Sequence, residues 1–261
     1  MTTLRAATLK NRVRRDERCL GVFVSAGVAI EIIDEIAATG LDFVIFDCEH
    51  GPLDESALSV RFEIALLRGV TPIVRIAGDG PIGRLVDLGA LGIMLAGAEN
   101  FDEVAGALDA IYFPPLGSRG FSSHTVFGRL ANEGPVKRSR LMTTANDAVV
   151  VVVQVETLGL RQALPRLLAE TRIDVITVGS SDLAVAEGDP DRPSSAGDIT
   201  SMLGYTRSSG SPAKGGSLAQ GRDLLNAIGA AFVSLGHDTE LFRVGVREAI
   251  ERIRSSEGPV S

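Results

Sequence analysis

The 261-residue chain has no tryptophan, two tyrosines, two cysteines, three histidines and three lysines. Two cysteines, Cys19 and Cys48, cannot make a disulfide framework, and they lack the spacing of a zinc site. No apolar run approaches the ~18 residues that cross a bilayer, so no membrane association is expected. The start, MTTLRAATLKNRVRRDERC, is basic without an apolar stretch ahead of a cleavage site. A secretory signal is therefore not expected, and a cytoplasmic location is. Positive charge is also in deficit, with 33 acidic against 26 basic residues and a net charge of −7. That balance argues against a nucleic-acid partner gripped by a basic face. Low-complexity sequence is scarce and 45% of residues are apolar, which excludes a disordered chain.

The apolar residues that are present are aliphatic, as in parallel strands buried on both faces. Short Val/Ile/Phe-rich runs predict strands at Leu20–Ser25, Asp42–Asp47, Thr71–Ile76, Gly92–Ala96, Val149–Val155, Ile173–Val178 and Ala231–Leu235. Helical periodicity lies between them, at Ala29–Thr39, Glu55–Leu67, Ile82–Leu88, Phe101–Ala110, Leu158–Ala169 and Thr239–Ile253. Strands alternating with helices imply βα units and a parallel sheet. Two gaps between strand starts are long, at 57 and 58 residues. The first holds a helix and the loop Tyr112–Gly120, which reads as an insertion. The second has room for an eighth strand between 187 and 230. The expected fold is one (β/α)8 TIM barrel over residues 1–261. The run Ser208–Ser217 is Gly/Ser/Pro-rich and reads as a loop. Residues 187–217 are expected to be mobile, and residues 131–147 to form a polar surface connection. No Gly-rich dinucleotide fingerprint follows the first strand, which disfavours a Rossmann domain.

Barrel enzymes place their chemistry at the C-terminal ends of the strands. Four ends here carry charge: Asp47-Cys48-Glu49-His50 after strand two, Arg75 on strand three, Gln154-Val155-Glu156 on strand five and Ser181-Asp182 after strand six. Glu156 and Asp182 are 26 residues apart, about one βα unit. Two carboxylates facing one mouth suit a hard divalent ion, Mg²⁺ or Mn²⁺; each could instead cap a following helix. His50 reads as a general base or as a structural histidine. Arg75 on a buried strand needs an anionic partner, either a substrate carboxylate or an internal acid such as Asp47. Asp87, in a helical segment, reads as a solvated charge. None of the three lysines, Lys10, Lys137 and Lys214, follows a predicted strand. Schiff-base chemistry is therefore disfavoured, and carbonyl chemistry would need a metal electrophile.

Asp-Cys-Glu-His-Gly-Pro (47–52), Ile-Val-Arg (73–75), Tyr-Phe-Pro-Pro-Leu-Gly-Ser-Arg-Gly (112–120), Val-Gln-Val-Glu-Thr (153–157), Gly-Ser-Ser-Asp-Leu (179–183) and Phe-Val-Ser-Leu-Gly-His-Asp-Thr (232–239) follow the order and approximate spacing of one family. Over residues 10 to 255 the chain resembles the class II, metal-dependent 2-keto-acid aldolases (the HpcH/HpaI aldolases, typified by 4-hydroxy-2-oxoheptanedioate aldolase). The resemblance implies a (β/α)8 barrel that forms a homo-oligomer, trimer or hexamer, and exchanges a C-terminal helix between subunits. It implies that Glu156 and Asp182 bind a divalent metal (Mg²⁺ or Mn²⁺, with Co²⁺ an alternative). His50 would be the general base and Asp87 the acid that orients it. Arg75 would bind the keto-acid oxygens, with Asp47 and Glu49 in support, and Gln154, Ser181 and Asp182 would contact substrate. The partners implied are a 2-keto acid and an aldehyde, joined and parted by aldol chemistry at a pyruvate enolate.

Several segments depart from the family pattern. Gly179-Ser180-Ser181 replaces a Gly-Pro turn, Leu95-Ala96-Gly97-Ala98-Glu99 lacks a proline, and His237 stands where a small apolar residue is usual. A Gly/Ser-rich run around Lys214 replaces an apolar seventh strand. These departures predict altered acceptor specificity. The same parts would also serve an oxaloacetate decarboxylase or a biosynthetic C–C bond-forming synthase. A catalytically degenerate barrel is disfavoured by the intact set Arg75, His50, Glu156 and Asp182.

Overall fold

A computed structural model of the chain describes residues 3–24, 29–51, 55–129, 137–191 and 212–256. Eight parallel strands close into a barrel in sequence order: β1 Cys19–Val24, β2 Phe43–Asp47, β3 Thr71–Ala77, β4 Gly92–Ala96, β5 Val150–Val155, β6 Val175–Val178, β7 Ala213–Ser217 and β8 Phe232–His237. The helices are α1 Thr3–Arg14, α2 Ile30–Ala38, α3 Glu55–Leu67, α4 Ile82–Leu88, α5 Phe101–Ile111, α6 Val126–Arg129, α7 Arg138–Ala148, α8 Leu158–Gln162, α9 Leu164–Ala169, α10 Ser180–Ala186, α11 Arg222–Ile228 and α12 Asp238–Ser256. The expected barrel is present, and the strand expected between 187 and 230 is β7.

Strand periodicity sorts the side chains into two layers. Val44 and Phe46 of β2, Val74 and Ile76 of β3, and Val151, Val153 and Val155 of β5 face the helices. Phe43 and Ile45, Ile73, and Val150 and Val152 point inward and fill the barrel. Inside, the rings of Phe43 and Phe232 stack 4.0 Å apart. Gly21 lies beside them on β1, where a Cβ would come within 2.1 Å of the Phe43 ring. Continuing the inward parity upward, Ile45 leads to Asp47, Ile73 to Arg75, and Val152 to Gln154 and Glu156. An apolar plug thus carries a polar layer at the C-terminal mouth.

The N-terminal segment forms α1, which closes the opposite end. Leu9 and Val13 pack among Phe43, Ile73, Val150, Val175 and Phe232. Buried Lys10 donates to the carbonyls of Val149 (2.8 Å) and Asn146 (3.2 Å) and to the Tyr112 hydroxyl (3.1 Å). Its charge is met by Asp174, 3.3 Å away.

Three readings of the sequence need correction. The Gly/Ser-rich run at 208–217 was expected to be a loop, but Ala213–Ser217 is β7. The backbone there is crowded. A Cβ on Gly215 would lie 3.1 Å from Thr177 and Val175 side chains, and one on Gly216 2.5 Å from Leu225. Glycine marks close approach here rather than a turn. The mobility expected over 187–217 lies, for 192–211, outside the described residues. The connection at 131–147 contains α7, whose Leu141, Ala145, Asn146 and Ala148 are buried. Asn146 earns its buried position by bonding both the N–H and the C=O of Phe113, at 2.8 and 3.0 Å. Finally, the helix expected at Leu158–Ala169 is broken at Ala163, because Pro165 has no N–H to continue it.

Candidate active site

The polar layer is organised around Arg75. Its Nε donates to Asp47 Oδ1 at 3.0 Å and its Nη2 to Asp47 Oδ2 at 2.6 Å, a bidentate buried pair. Of the two partners considered for Arg75, the structure supplies the internal one. Glu49 Oε2 approaches the same guanidinium at 3.4 Å. Burial alone would raise the Asp47 carboxyl, but the bonds and charge of Arg75, with the amides of His50 and Glu49, hold it below the ordinary range. Those amides reach Asp47 Oδ1 at 3.3 and 3.2 Å, so Asp47 also shapes the turn that follows β2.

Glu156, one residue beyond β5, is buried. Its Oε1 accepts the amide N–H of Gly97, and its Oε2 is buried without a hydrogen-bond partner. Burial pushes this carboxyl up to about 7; the Gly97 amide opposes the rise, Glu49 and Asp182 add to it, and Arg75 opposes it. Gly179 makes room for the group. A Cβ there would sit 2.6 Å from Glu156 Oε2, 2.6 Å from Gln154 Nε2 and 2.8 Å from Glu156 Cβ. Gly97 reaches Glu156 from a backbone with φ +63°, which favours glycine. Ser181 and Asp182 are exposed in the first turn of α10, and the negative charge of Asp182 is felt at both Glu49 and Glu156. Burial likewise raises the Glu49 carboxyl, against Arg75.

The structure therefore gathers Asp47, Glu49, Arg75, Gln154, Glu156 and Asp182 at one mouth. His50 stands at its edge, with its side chain 62% exposed and Nε2 3.7 Å from Glu49 Oε2. Asp87 is placed differently. It lies on α4 and accepts from Arg119 Nε at 3.1 Å and from Arg119 Nη2. Arg119 is itself buried over the Phe113 ring, 4.5 Å from its centroid. Among the described residues Asp87 has no contact with His50. Cys48 lies within the motif, but burial, with the charge of Asp47, pushes its thiol up to about 11, so it is no nucleophile near neutrality.

Among the described residues no group of three or more His, Cys, Asp or Glu side chains is arranged to hold a metal ion. Two observations nevertheless fit a cation. A buried carboxylate oxygen of Glu156 has no partner, and three carboxylates surround one neutralised arginine. Oxygen donors of this kind suit a hard divalent ion that keeps other ligands from substrate and water.

Sequence reasoning met Arg119, Gly97 and Gly179 only inside longer motifs and gave them no role in holding Asp87 or Glu156, and it missed Phe23. The ring of Phe23 lies 5.0 Å from the Arg75 guanidinium and stacks on His237, with centroids 4.8 Å apart and planes at 20°. Its inward parity on β1 was the available signal.

Comparison with known proteins identifies the family of the chain. A 2-keto-3-deoxy-L-rhamnonate aldolase of Escherichia coli O157:H7 is 29% identical over 269 residues, covering 99% of this chain and 98% of that protein. The structure of an HpcH/HpaI aldolase/citrate lyase family protein from Burkholderia cenocepacia J2315 superimposes with a TM-score of 0.81 at 27% identity, over 95% of this chain and 99% of that one. Macrophomate synthase shares the fold, with a TM-score of 0.81 at 22% identity over 100% of this chain and 93% of its own. The profile of the HpcH/HpaI aldolase/citrate lyase family matches residues 20–243. The chain belongs to that family, whose chemistry is that of carbon–carbon lyases.

Proposed function

We propose that the protein catalyses the reversible, metal-dependent aldol cleavage of 4-hydroxy-2-oxo acids to pyruvate and an aldehyde. The observation that carries the reading is the partnerless buried oxygen of Glu156 beside a bidentate Arg75–Asp47 pair. Glu156 and Asp182 would hold the divalent ion (Mg²⁺ or Mn²⁺, with Co²⁺ an alternative). When bound, it would polarise the keto group and spread the charge of the developing enolate.

The chain's own residues do the rest. Asp47 fixes the plane of Arg75 through Nε and Nη2, so the guanidinium meets the keto-acid oxygens without reorganising. Gln154, below Glu156, offers its amide to the same substrate end. The backbone around Ser181 and Asp182, at the start of α10, receives the carboxylate. His50, at the open edge, takes the C4 hydroxyl proton, directly or through water. The C3–C4 bond then breaks and the aldehyde leaves. A proton returned to C3 of the enolate gives pyruvate, and condensation is the reverse. Asp87 is held by Arg119 within the chain and, among the described residues, has no contact with His50, so it is given no part in orienting that base.

The relative named above acts on a 2-keto-3-deoxy acid, which agrees in class with this substrate. The test is to supply protein, Mg²⁺ or Mn²⁺, pyruvate and a panel of aldehydes, and to seek the 4-hydroxy-2-oxo acid by mass spectrometry. Glu156→Ala and Asp182→Ala should lose metal binding and turnover together. Full activity of either variant in the presence of chelator would overturn the metal assignment. Loss of added oxaloacetate with no aldol product would favour a decarboxylase instead.

A further inference from the structure

The partnerless oxygen of Glu156 depends on a turn that has little shape of its own. The other oxygen, Oε1, accepts from the Gly97 amide, which lies in the connection between β4 and α5. That connection reads Gly97-Ala98-Glu99-Asn100, with Ala96 before it. It has no proline to fix a backbone angle, and Gly97 sits at φ +63°, so its conformation must come from contacts. The strand ladder does not supply them. The last residue pair between β4 and β5 is Leu95 with Val153, below both Gly97 and Glu156.

Above that pair the turn is held from two sides. Thr157 Oγ1, in the connection after β5, donates to the carbonyl of Ala98 at 2.7 Å. Gly159, in the first turn of α8, approaches Glu99 so closely that a Cβ would come within 1.8 Å of the Glu99 carbonyl oxygen. From the far side, Glu103 of α5 accepts the Glu99 amide at 2.8 Å. The Thr157 hydroxyl also accepts from the Leu160 amide at 3.2 Å, which caps α8. A cap needs the oxygen only as an acceptor. The bond to Ala98 uses the hydroxyl proton, which capping leaves over. Thr157 thus ties one turn to the other while closing its own helix.

We propose that Thr157 is a positioning residue for the metal site. Through Ala98 it holds the Gly97 amide on Glu156 Oε1, which leaves Oε2 as the oxygen presented to the cation. This rests on the reading of Glu156 as a metal ligand given above. Without the bond from Thr157 to Ala98, Gly97 can move through the wide φ range open to glycine, and the carboxylate loses a fixed partner. Losses of such support to a ligand weaken metal binding by about ten- to a hundredfold.

The experiment titrates Mn²⁺ into metal-free protein by calorimetry and follows hydrogen exchange of single backbone amides by NMR. Thr157→Val, which keeps the shape and loses both bonds, should weaken Mn²⁺ binding on the order of tenfold and speed exchange at Gly97. Thr157→Ser keeps the hydroxyl and should restore both. A residue that only capped α8 would, in Thr157→Val, speed exchange at Leu160 and leave Gly97 and the affinity as they were. An unchanged affinity, or an unchanged rate at Gly97, therefore overturns the proposal. Should Thr157→Val not fold, Gly159→Ala decides. It keeps the cap of α8 and displaces Glu99, so weaker Mn²⁺ binding with faster exchange at Gly97 is expected, and a wild-type value of either would overturn the proposal. Wild type that binds no Mn²⁺, or binding that survives Glu156→Ala, overturns the metal reading and this role with it. Binding lost in Glu156→Ala but unchanged in Thr157→Val overturns only the role of Thr157.

Discussion

At the residue scale, the site is built by one period. Inward parity carries Phe43–Ile45–Asp47, Ile73–Arg75 and Val150–Val152–Gln154–Glu156 from apolar plug to polar mouth, and each charged residue is the continuation of a packed strand. Gly179 is the most constrained neighbour of Glu156. Gly179→Ala would set a methyl 2.8 Å from Glu156 Cβ, which cannot rotate away. Metal affinity should fall by about tenfold or more, as for other losses of support to a ligand; calorimetric titration with Mn²⁺ checks this. The raised Glu156 carboxyl also has a consequence for stability. Its folded value, about 7, exceeds its ordinary value, so the folded state holds a proton that the unfolded state has lost between roughly pH 4.5 and 7. Metal-free protein should therefore lose stability from this group as pH rises across that window. Thermal melts with chelator should show the loss, and Glu156→Gln should flatten it. A stability that rises through the same window would contradict the assignment.

At the scale of elements, runs with strong side-chain patterns were legible and those without were not. Glu55–Leu67 and Ile82–Leu88 form helices within the bounds their periodicity predicts. β7 was not legible, because Ala-Lys-Gly-Gly-Ser has no large apolar side chain to pattern; its glycines answer to Thr177 and Leu225, which no local reading can supply. α7 hid for a related reason, since its buried Asn146 looks polar until its bonds to Phe113 are seen. In the site, Arg75 and Glu156 were legible as charges at the ends of buried strands. The Asp87–Arg119 pair was not, because it joins a helix to a loop 32 residues away. α1 was unread as a plug, yet it is anchored by a buried charge cluster. Asp174 faces Lys10 at 3.3 Å and accepts from Arg14 Nε at 2.6 Å and from the Val151 amide at 2.8 Å. Burial lowers the Lys10 ammonium pKa despite Asp174. Asp174→Ala would leave that ammonium buried without its counter-charge, and should destabilise the fold by about 3–5 kcal/mol. Urea denaturation measures this, and a loss below about 1 kcal/mol would show that α1 is held mainly by Leu9 and Val13.

At the scale of the whole molecule, α12 stands apart. Its side chains are exposed along its length, with Phe242 at 74% and Ile253 at 63%, and Leu241, Val244, Val246 and Ile250 also exposed. A helix with this much apolar surface in water is short of a partner. The expected homo-oligomer with an exchanged C-terminal helix would cover it, and that is the assembly we propose. Phe242→Glu with Ile253→Glu should then reduce the mass measured by light scattering to that of one chain, whereas an unchanged oligomer would place the interface elsewhere. The departures at 95–99, 179–181 and 237 lie at the mouth, whereas the Gly/Ser-rich run around Lys214 lies in β7, a strand of the barrel itself. Those at the mouth adjoin Glu156 and Arg75 and leave both residues in place, which supports the proposal of one chemistry with a changed acceptor.

The central claim is a divalent ion held by Glu156 and Asp182 that lets this barrel ionise pyruvate. The most direct measurement is proton NMR of pyruvate in D₂O with the protein, first with Mn²⁺ or Mg²⁺ and then with chelator. The account predicts that the methyl signal is lost by deuterium exchange only with metal, and that Glu156→Ala abolishes the loss. Exchange that persists in chelator, or in Glu156→Ala, would contradict it.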